Sequence, residues 1–472
     1  MQAGVETSAY STASGSLAGR SSVIQASSKL RPARLPLAVL CRSVVNVVLY
    51  TRLKIDIAEA EVSPAAEGEA SSPTAASRVR LPPMRIAFIY RGDPRHRTAN
   101  RLSMLKNVAA AKRLGHEPTL VVPREGMSAV EAARAVEEAC EEFDIGESFQ
   151  VVRVPRATIW GRGRRGFDLL AACWARARRF DLVWSRELHA ADYASMLGLK
   201  TVFEHHHPFN ERQWKVARRL LARESFRGVA AISGVHRRTL TRGGWPEEKV
   251  VTAHSGVDLA QFERARAASG EMRRTLAAPG RPLVVYAGSL YEGKGCEQLL
   301  LAAREMPGVK FVCVGGRDFE VARLRAQAEA LGLTNFELKG RVPHAEVPAH
   351  LLAADVLVAP FTEDGRDIAG KVIIPFASPI KLFEYMAAGR ALVTSNVGAI
   401  PEVVRHEENG LLVAPGSVGE LVGAIARLLA DVALAERLGA SARSDARRYT
   451  WEERVARVLA FACGVARGAV AV

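Results

Sequence analysis

From Met84 onward, short apolar runs alternate with stretches of helical spacing. Residues 86–90 form a β-branched and aromatic run that reads as a buried first strand. Residues 99–114 then place Leu102, Leu105, Val108 and Ala109 on one helical face. Further strands are expected at 119–122, 151–154, 182–184 and 201–203, with 229–232 ending the series. The pattern then restarts. A strand at 283–287 runs into Gly288, a helix follows at 297–304, and a strand at 309–314 runs into Gly315 and Gly316. Strands at 336–338, 356–359 and 391–394 continue it. Strands alternating with helices imply parallel βαβ units. The expected fold class is therefore α/β, with two Rossmann-like domains joined near residues 257–280. Ligands of such sheets bind outside the carboxyl ends of the strands, so the site is expected in the cleft between the domains. The expected divisions are an extension over 1–83, a first domain over 84–260, a second over 261–450, and a terminal segment over 451–472 packing back toward the first domain. No short repeat period is visible, which argues against a solenoid.

The bulk numbers fit this division. A chain of 472 residues is too long for one ordinary domain. The formal net charge of +15 is mostly arginine; it favours anionic partners or reflects residue usage. Six scattered cysteines include no C-x-x-C pair and none at zinc spacing from histidines, which points to a reducing compartment and no structural metal. The longest apolar stretch, 35–50, is broken by Pro36, Arg42 and Asn46, and a spanning helix needs roughly 20 apolar residues. Residues 1–83 are rich in Ser, Ala and Arg, with Glu6 the only acid before Asp56. They read as a disordered or transit-like extension, and Met84 reads as a native start entering the first strand.

Three stretches carry candidate chemistry. Residues 378–402 (SPIKLFEYMAAGRALVTSNVGAIPE) hold a Pro379 break, a helix start at 380 and a closing Gly389. Unpaired backbone N–H groups at a helix start suit a diphosphate, and Glu384, one turn in, can accept from both ribose hydroxyls. Residues 284–295 (VVYAGSLYEGKG) end a strand at Gly288, where a missing side chain lets a ligand approach the backbone, and place Lys294 in a glycine-flanked loop. A lysine there is a point charge for diphosphate oxygens and for a leaving group. Residues 202–208 (VFEHHHP) put three histidines at a strand end. Consecutive strand residues face opposite ways, so polar contact with a sugar fits better than joint metal ligation.

Together these motifs resemble the GT-B retaining glycosyltransferases of the family four type, over roughly residues 84–465. Ser255-Gly256-Val257-Asp258 resembles the family's Asn-Gly-Val-Asp turn. Residues 288–295 resemble its donor loop, and 379–389 its Pro-x-Lys-x-x-Glu-Tyr-Met-Ala-x-Gly element. Val314-Gly315-Gly316, Gly340-Arg341-Val342 and Asn409-Gly410-Leu411-Leu412-Val413 fall in order between and after them. The resemblance implies a nucleotide-diphosphate-sugar donor, a glycan or lipid-linked acceptor, retention of anomeric configuration, and no metal or other cofactor. It implies Glu384 at the ribose, Lys294 at the diphosphate, backbone amides of Ile380 and Lys381 at the β-phosphate, and backbone of Arg341 and Val342 beside the base. Glu204-His205-His206 resembles a Glu-x-His element, which makes His206 the histidine that touches the donor sugar. Front-side attack, with the leaving phosphate taking the acceptor's proton, is the implied route.

Two positions depart from the family pattern: Phe376 stands where many members have a second glutamate, and Ser289 where many have an arginine. Lys381 or Arg341 is then the candidate for the missing positive charge. Two arginine-rich stretches, 162–179 and 212–227, lie in the first domain; in the second, Trp214, Ala217 and Leu221 share a helical face. That helix either lies on an anionic membrane surface or packs its apolar face inward. A cytoplasmic location, peripheral on the inner face of the membrane under the first alternative, is the expectation. Rival readings are a non-catalytic nucleotide-sugar-binding protein and a GT-B-fold epimerase. No aromatic-interleaved basic motif points to nucleic acid.

Overall fold

The computed structural model describes residues 57–58, 81–93, 98–124, 126, 128–156, 163–365, 372 and 374–465. The first sheet contains β1 (Ile57–Ala58), β2 (Arg85–Ile89), β3 (Glu117–Arg124), β4 (Gln150–Pro155), β5 (Leu182–Ser185), β6 (Thr201–His205), β7 (Phe226–Ala231) and β8 (Val250–Thr252). Their order is β1-β4-β3-β2-β5-β6-β7-β8, parallel except for β1, which pairs antiparallel with β4. The second sheet contains β9 (Leu283–Ala287), β10 (Lys310–Val314), β11 (Phe336–Gly340), β12 (Val356–Ala359), β13 (Ala391–Ser395) and β14 (Leu411–Val413), in the parallel order β11-β10-β9-β12-β13-β14. Each sheet reverses direction once, between β2 and β5 and between β9 and β12, and a doubly wound sheet binds ligands at that reversal. Every residue of β6, β9 and β13 is buried, as a parallel strand covered on both faces requires.

The first series does not end at residues 229–232: β8 follows β7, and β14 extends the second sheet beyond 391–395. Each added strand is three residues long, too short to display a period in the sequence. The segment between the domains is two short helices, Leu259–Ala265 and Ser269–Leu276.

The terminal helix Trp451–Ala462 crosses back to the first domain. Trp451, Val455, Val458, Leu459 and Ala462 enter the same core cluster as Ile86, Phe88 and Leu105. The outgoing and returning strands of chain run side by side where the Val257 N–H donates to the Tyr449 carbonyl at 2.8 Å. The domains also meet polar to polar. Glu402 of the second domain accepts from the Gly234 N–H at 2.6 Å, at the start of helix Gly234–Arg242 of the first, and pairs with Arg238 at 3.1 Å. Ser255 donates from its N–H to Ser378 Oγ at 2.9 Å and from its hydroxyl to the Ser378 carbonyl at 2.7 Å.

Candidate functional site

On the second-domain side, the site is built where β9 ends. Gly288 sits at φ +142°, and a Cβ there would collide with the Lys381 amine; glycine alone tolerates both the backbone and the neighbour. Lys381 is the second residue of helix Ile380–Ala388, whose start has no side-chain cap and no acid in its first turn. The cap position itself is Pro379, which carries no side-chain acceptor, and the Ser378 hydroxyl before it is engaged by Ser255. The first backbone N–H groups of that helix therefore stay available, with the positive end of its dipole behind them.

Lys381 Nζ donates to the Tyr286 hydroxyl at 2.6 Å and lies 3.8 Å from the centre of that ring. The same hydroxyl donates to the Ser289 carbonyl at 2.6 Å. Lys294 is buried, with its amine 4.8 Å from the Tyr291 ring centre. Both amines flank the Phe361 ring, at 5.4 and 5.5 Å. Burial pushes Lys294 down to about 8. Burial, with the Lys294 charge added, pushes Lys381 down to about 7. Among the described residues neither amine is paired with a carboxylate. Two desolvated cations over one aromatic ring, beside a helix start, make a strong anion cradle. Gly295, at φ +80°, opens the helix Cys296–Glu305 directly against the Pro360 carbonyl, which fixes the Lys294 loop to the end of β12.

Arg341 is exposed, and Val342 packs against the second-domain core. The charge beside Gly288 therefore comes from Lys381, not Arg341. Glu384, one turn into helix Ile380–Ala388, accepts from His344 Nε2 at 2.8 Å. Ile380 touches the first-domain cluster.

On the first-domain side, the three histidines at the end of β6 go three ways. His207 is exposed. His205 is buried in an aromatic nest with Phe209 at 4.4 Å and His236 at 4.7 Å between ring centres. His206 Nε2 meets Glu204 Oε1 at 2.5 Å. Glu204 has no exposed side-chain surface, and its other oxygen takes Arg454 at 2.9 Å and the Trp184 indole at 2.8 Å. Burial alone would raise the Glu204 carboxyl; the Arg454 guanidinium and His206 overcome it and hold the group well below the usual carboxylate range. Burial, aided by the Arg186 charge, brings His206 down to about 3 against the pull of Glu204. His206 is thus a neutral imidazole whose Nε2–H faces a carboxylate, leaving Nδ1 as an acceptor. Phe376 lies against His236, 5.4 Å between ring centres, and its carbonyl accepts from the Ser233 hydroxyl at 3.1 Å.

Sequence reasoning missed Tyr286, Phe361, His344, Glu402 and Arg454. The first two read as ordinary core aromatics. Arg454 did carry a signal: it occupies the apolar stripe of its helix with Trp451, Val455 and Val458, where an arginine needs a buried partner. Among the described residues no three His, Cys, Asp or Glu side chains group as metal ligands. The basic helix Glu211–Leu221 buries Val216, Ala217 and Leu220 against its own domain. Arg219 and Arg223 pair with Asp192, while Arg212, Lys215 and Arg218 stay exposed. Arg162, Arg164 and Arg165 fall outside the residues whose side chains are described. No described helix is long and apolar enough to cross a membrane.

Two doubly wound α/β domains in contact with each other, with the paired amines at the reversal of the second, are the architecture of the GT-B class. Residues 281–431 match the family described as glycosyl transferases group 1, and residues 104–261 match glycosyltransferase family 4. A GDP-mannose-dependent alpha-(1-6)-phosphatidylinositol monomannoside mannosyltransferase of Mycobacterium tuberculosis is 30% identical over 270 residues, covering 55% of this chain and 68% of that one. A 2-deoxystreptamine glucosyltransferase of Streptomyces kanamyceticus is 30% identical over 186 residues, covering 37% and 45%. Among solved structures, HepE of Anabaena in complex with UDP superimposes with a TM-score of 0.63 at 20% identity, covering 80% of this chain and 100% of that one. The chain belongs to the group 1/family 4 glycosyltransferases and has the GT-B fold.

Proposed function

We propose that this glycosyltransferase moves a sugar from a nucleoside-diphosphate donor to a glycan or lipid-linked acceptor, with retention and without a metal ion. The observation that carries the reading is the pair of buried amines, Lys294 and Lys381, flanking one ring beside an uncapped helix start. The diphosphate lies there, held by the two amines and by the backbone N–H groups of Ile380 and Lys381. Glu384 holds the ribose, and the backbone of Arg341 and Val342 flanks the base. His206, neutral and fixed by Glu204, accepts from a hydroxyl of the donor sugar through Nδ1. The acceptor oxygen attacks the anomeric carbon on the face that the phosphate leaves. The carbon–oxygen bond to the β-phosphate breaks, its electron pair stays on the phosphate oxygen, and that oxygen takes the acceptor's proton. The cations stabilise the charge as it develops there. Support for a nucleotide donor comes also from the relative that uses GDP-mannose and the neighbour solved with UDP. An acceptor at a membrane would be met electrostatically by Arg212, Lys215 and Arg218, because the apolar face of their helix is occupied. A cytoplasmic site of action belongs to the same proposal.

A thermal-shift screen against nucleotides and nucleotide sugars, with and without magnesium, tests the reading, since a ligand that binds only the folded state raises its melting temperature. A rise with one nucleoside diphosphate that is independent of magnesium and lost in Glu384→Ala and Lys294→Ala is the expected result. No rise with any of them would leave the transferase reading without a donor site.

A further inference from the structure

We infer that His344 is a positioning residue of the nucleotide site: it holds the Glu384 carboxylate in place for the ribose and ties that carboxylate to the first domain through Phe143. The inference rests on the ribose reading of Glu384. A half-buried glutamate on a helix surface has several rotamers, and fixing one costs side-chain entropy. Glu384 is spared that search. His344 Nε2 lies 2.8 Å from Oε1, so one lone pair of one oxygen is used, and Oε2 stays open to a diol. His344 Nδ1 is buried with no partner among the described residues. The proton therefore belongs on Nε2, the tautomer that a carboxylate needs.

The imidazole is itself held from both sides. Pro343 precedes the short 3-10 turn His344–Glu346 and restricts its entry. The Phe143 ring and the imidazole meet edge to face, 5.8 Å between centres and 87° between planes, a favoured T-shaped contact. Phe143 belongs to the first domain, where it ends the helix Ala129–Glu142. Its ring carries the Arg101 guanidinium at 5.0 Å, and its carbonyl accepts from Gln261 at 2.9 Å. Phe143, His344 and Glu384 thus form a contiguous chain from the first domain to the nucleotide side of the second. Nothing in the donor motifs requires a histidine here, and neither His344 nor Phe143 is placed to touch the diphosphate.

Calorimetric titration of the full chain with UDP and with GDP tests this, with melting temperatures confirming that each variant is folded. His344→Leu is expected to weaken the better-bound nucleotide about tenfold, equivalent to about 1.4 kcal/mol, and to raise donor KM with little change in kcat. His344→Gln, whose amide can donate from nearly the same place, should stay within about twofold of the parent. In a Glu384→Gln background His344→Leu should have little further effect, because the two act as one unit. Phe143→Leu should weaken binding about threefold, and this loss should disappear when His344 is already Leu. Equal losses in His344→Leu and His344→Gln would overturn the inference, as would additive losses with Phe143→Leu or with Glu384→Gln. Weakened binding in Glu384→Gln with parental binding in His344→Leu would overturn this inference alone. Parental binding in both would overturn it together with the ribose role of Glu384.

Discussion

Glu204 and Arg454 form a charged pair with almost no exposed surface. Arg454 also donates to Asn107 at 3.1 Å and to the carbonyls of Ala253 and His254, so its donors are well used. Buried pairs of this kind add little net stability, but breaking one strands a charge. Glu204→Gln is therefore expected to cost about 3–5 kcal/mol in urea unfolding. The double variant Glu204→Gln with Arg454→Met should recover part of that loss. The same substitution puts a neutral amide where His206 meets a carboxylate, so any variant folded enough to assay should lose turnover as well. Phe376 and Ser289 take different places in the site. Ser289 contributes its carbonyl to the Tyr286 hydroxyl, while Lys381 brings the positive charge that a side chain at 289 does not. Phe376 presents an aromatic ring to His236, so the wall of the cleft there is aromatic where many family members are acidic.

At the scale of elements, the anion cradle is a property of a loop, a helix start and a strand end together. With Lys381 near 7 and Lys294 near 8, both amines are charged in the free protein only below about pH 7. An anion binds best when both carry protons. Nucleoside-diphosphate affinity should thus fall as pH rises from 7 to 9, by up to about tenfold per pH unit for each lysine that has lost its proton. Binding above pH 7 should take up protons, which calorimetry in buffers of different ionisation enthalpy reads directly. Lys381→Met should abolish the lower of the two steps. Gly295→Ala forces an unfavourable φ and a contact with the Pro360 carbonyl. A strained backbone position costs about 1–3 kcal/mol, and the Lys294 loop should shift with it. The expected outcome is a lower melting temperature and a larger loss of nucleotide affinity than that drop alone explains.

At the scale of the whole molecule, the domains meet through polar contacts, a few ring and apolar contacts such as Phe143–His344 and Ile380, and a returning helix. Glu402 holds the start of helix Gly234–Arg242 from across the cleft. Glu402→Ala should shift the ensemble toward an open cleft, read as a larger radius of gyration in solution scattering. Saturating donor should contract the parent, and a curve unchanged by donor would count against closure. His206, His236 and His254 are each held neutral, chiefly by burial, at about 3, 4 and 4. Their ordinary value is about 6.5, and a folded-state value below the unfolded one gives stability that is complete above pH 6.5. It is lost as pH falls toward 4, at up to about 1.4 kcal/mol per pH unit for each histidine. The melting temperature should accordingly drop steeply between pH 6.5 and 4, and less steeply in His236→Phe.

The sequence by itself determined the two doubly wound series, because buried parallel strands must be short apolar runs and each must be followed by a helix. It also made the glycine-flanked loop 288–295 and the start of helix 380–388 legible as candidates, because the glycines and a helix start after Pro379 are written at fixed local spacing. Strands β8 and β14 escaped because three residues cannot show a period. Tertiary structure alone decided that Lys381 rather than Arg341 stands beside Gly288, that Arg454 on the last helix returns to clamp Glu204, and that His344 reaches Glu384. Those partners are 95, 250 and 40 residues apart in contacts such as Lys381–Tyr286, Arg454–Glu204 and His344–Glu384. Such encounters depend on how each helix and loop packs against its sheet, and on where the last helix returns, which local residue spacing does not encode.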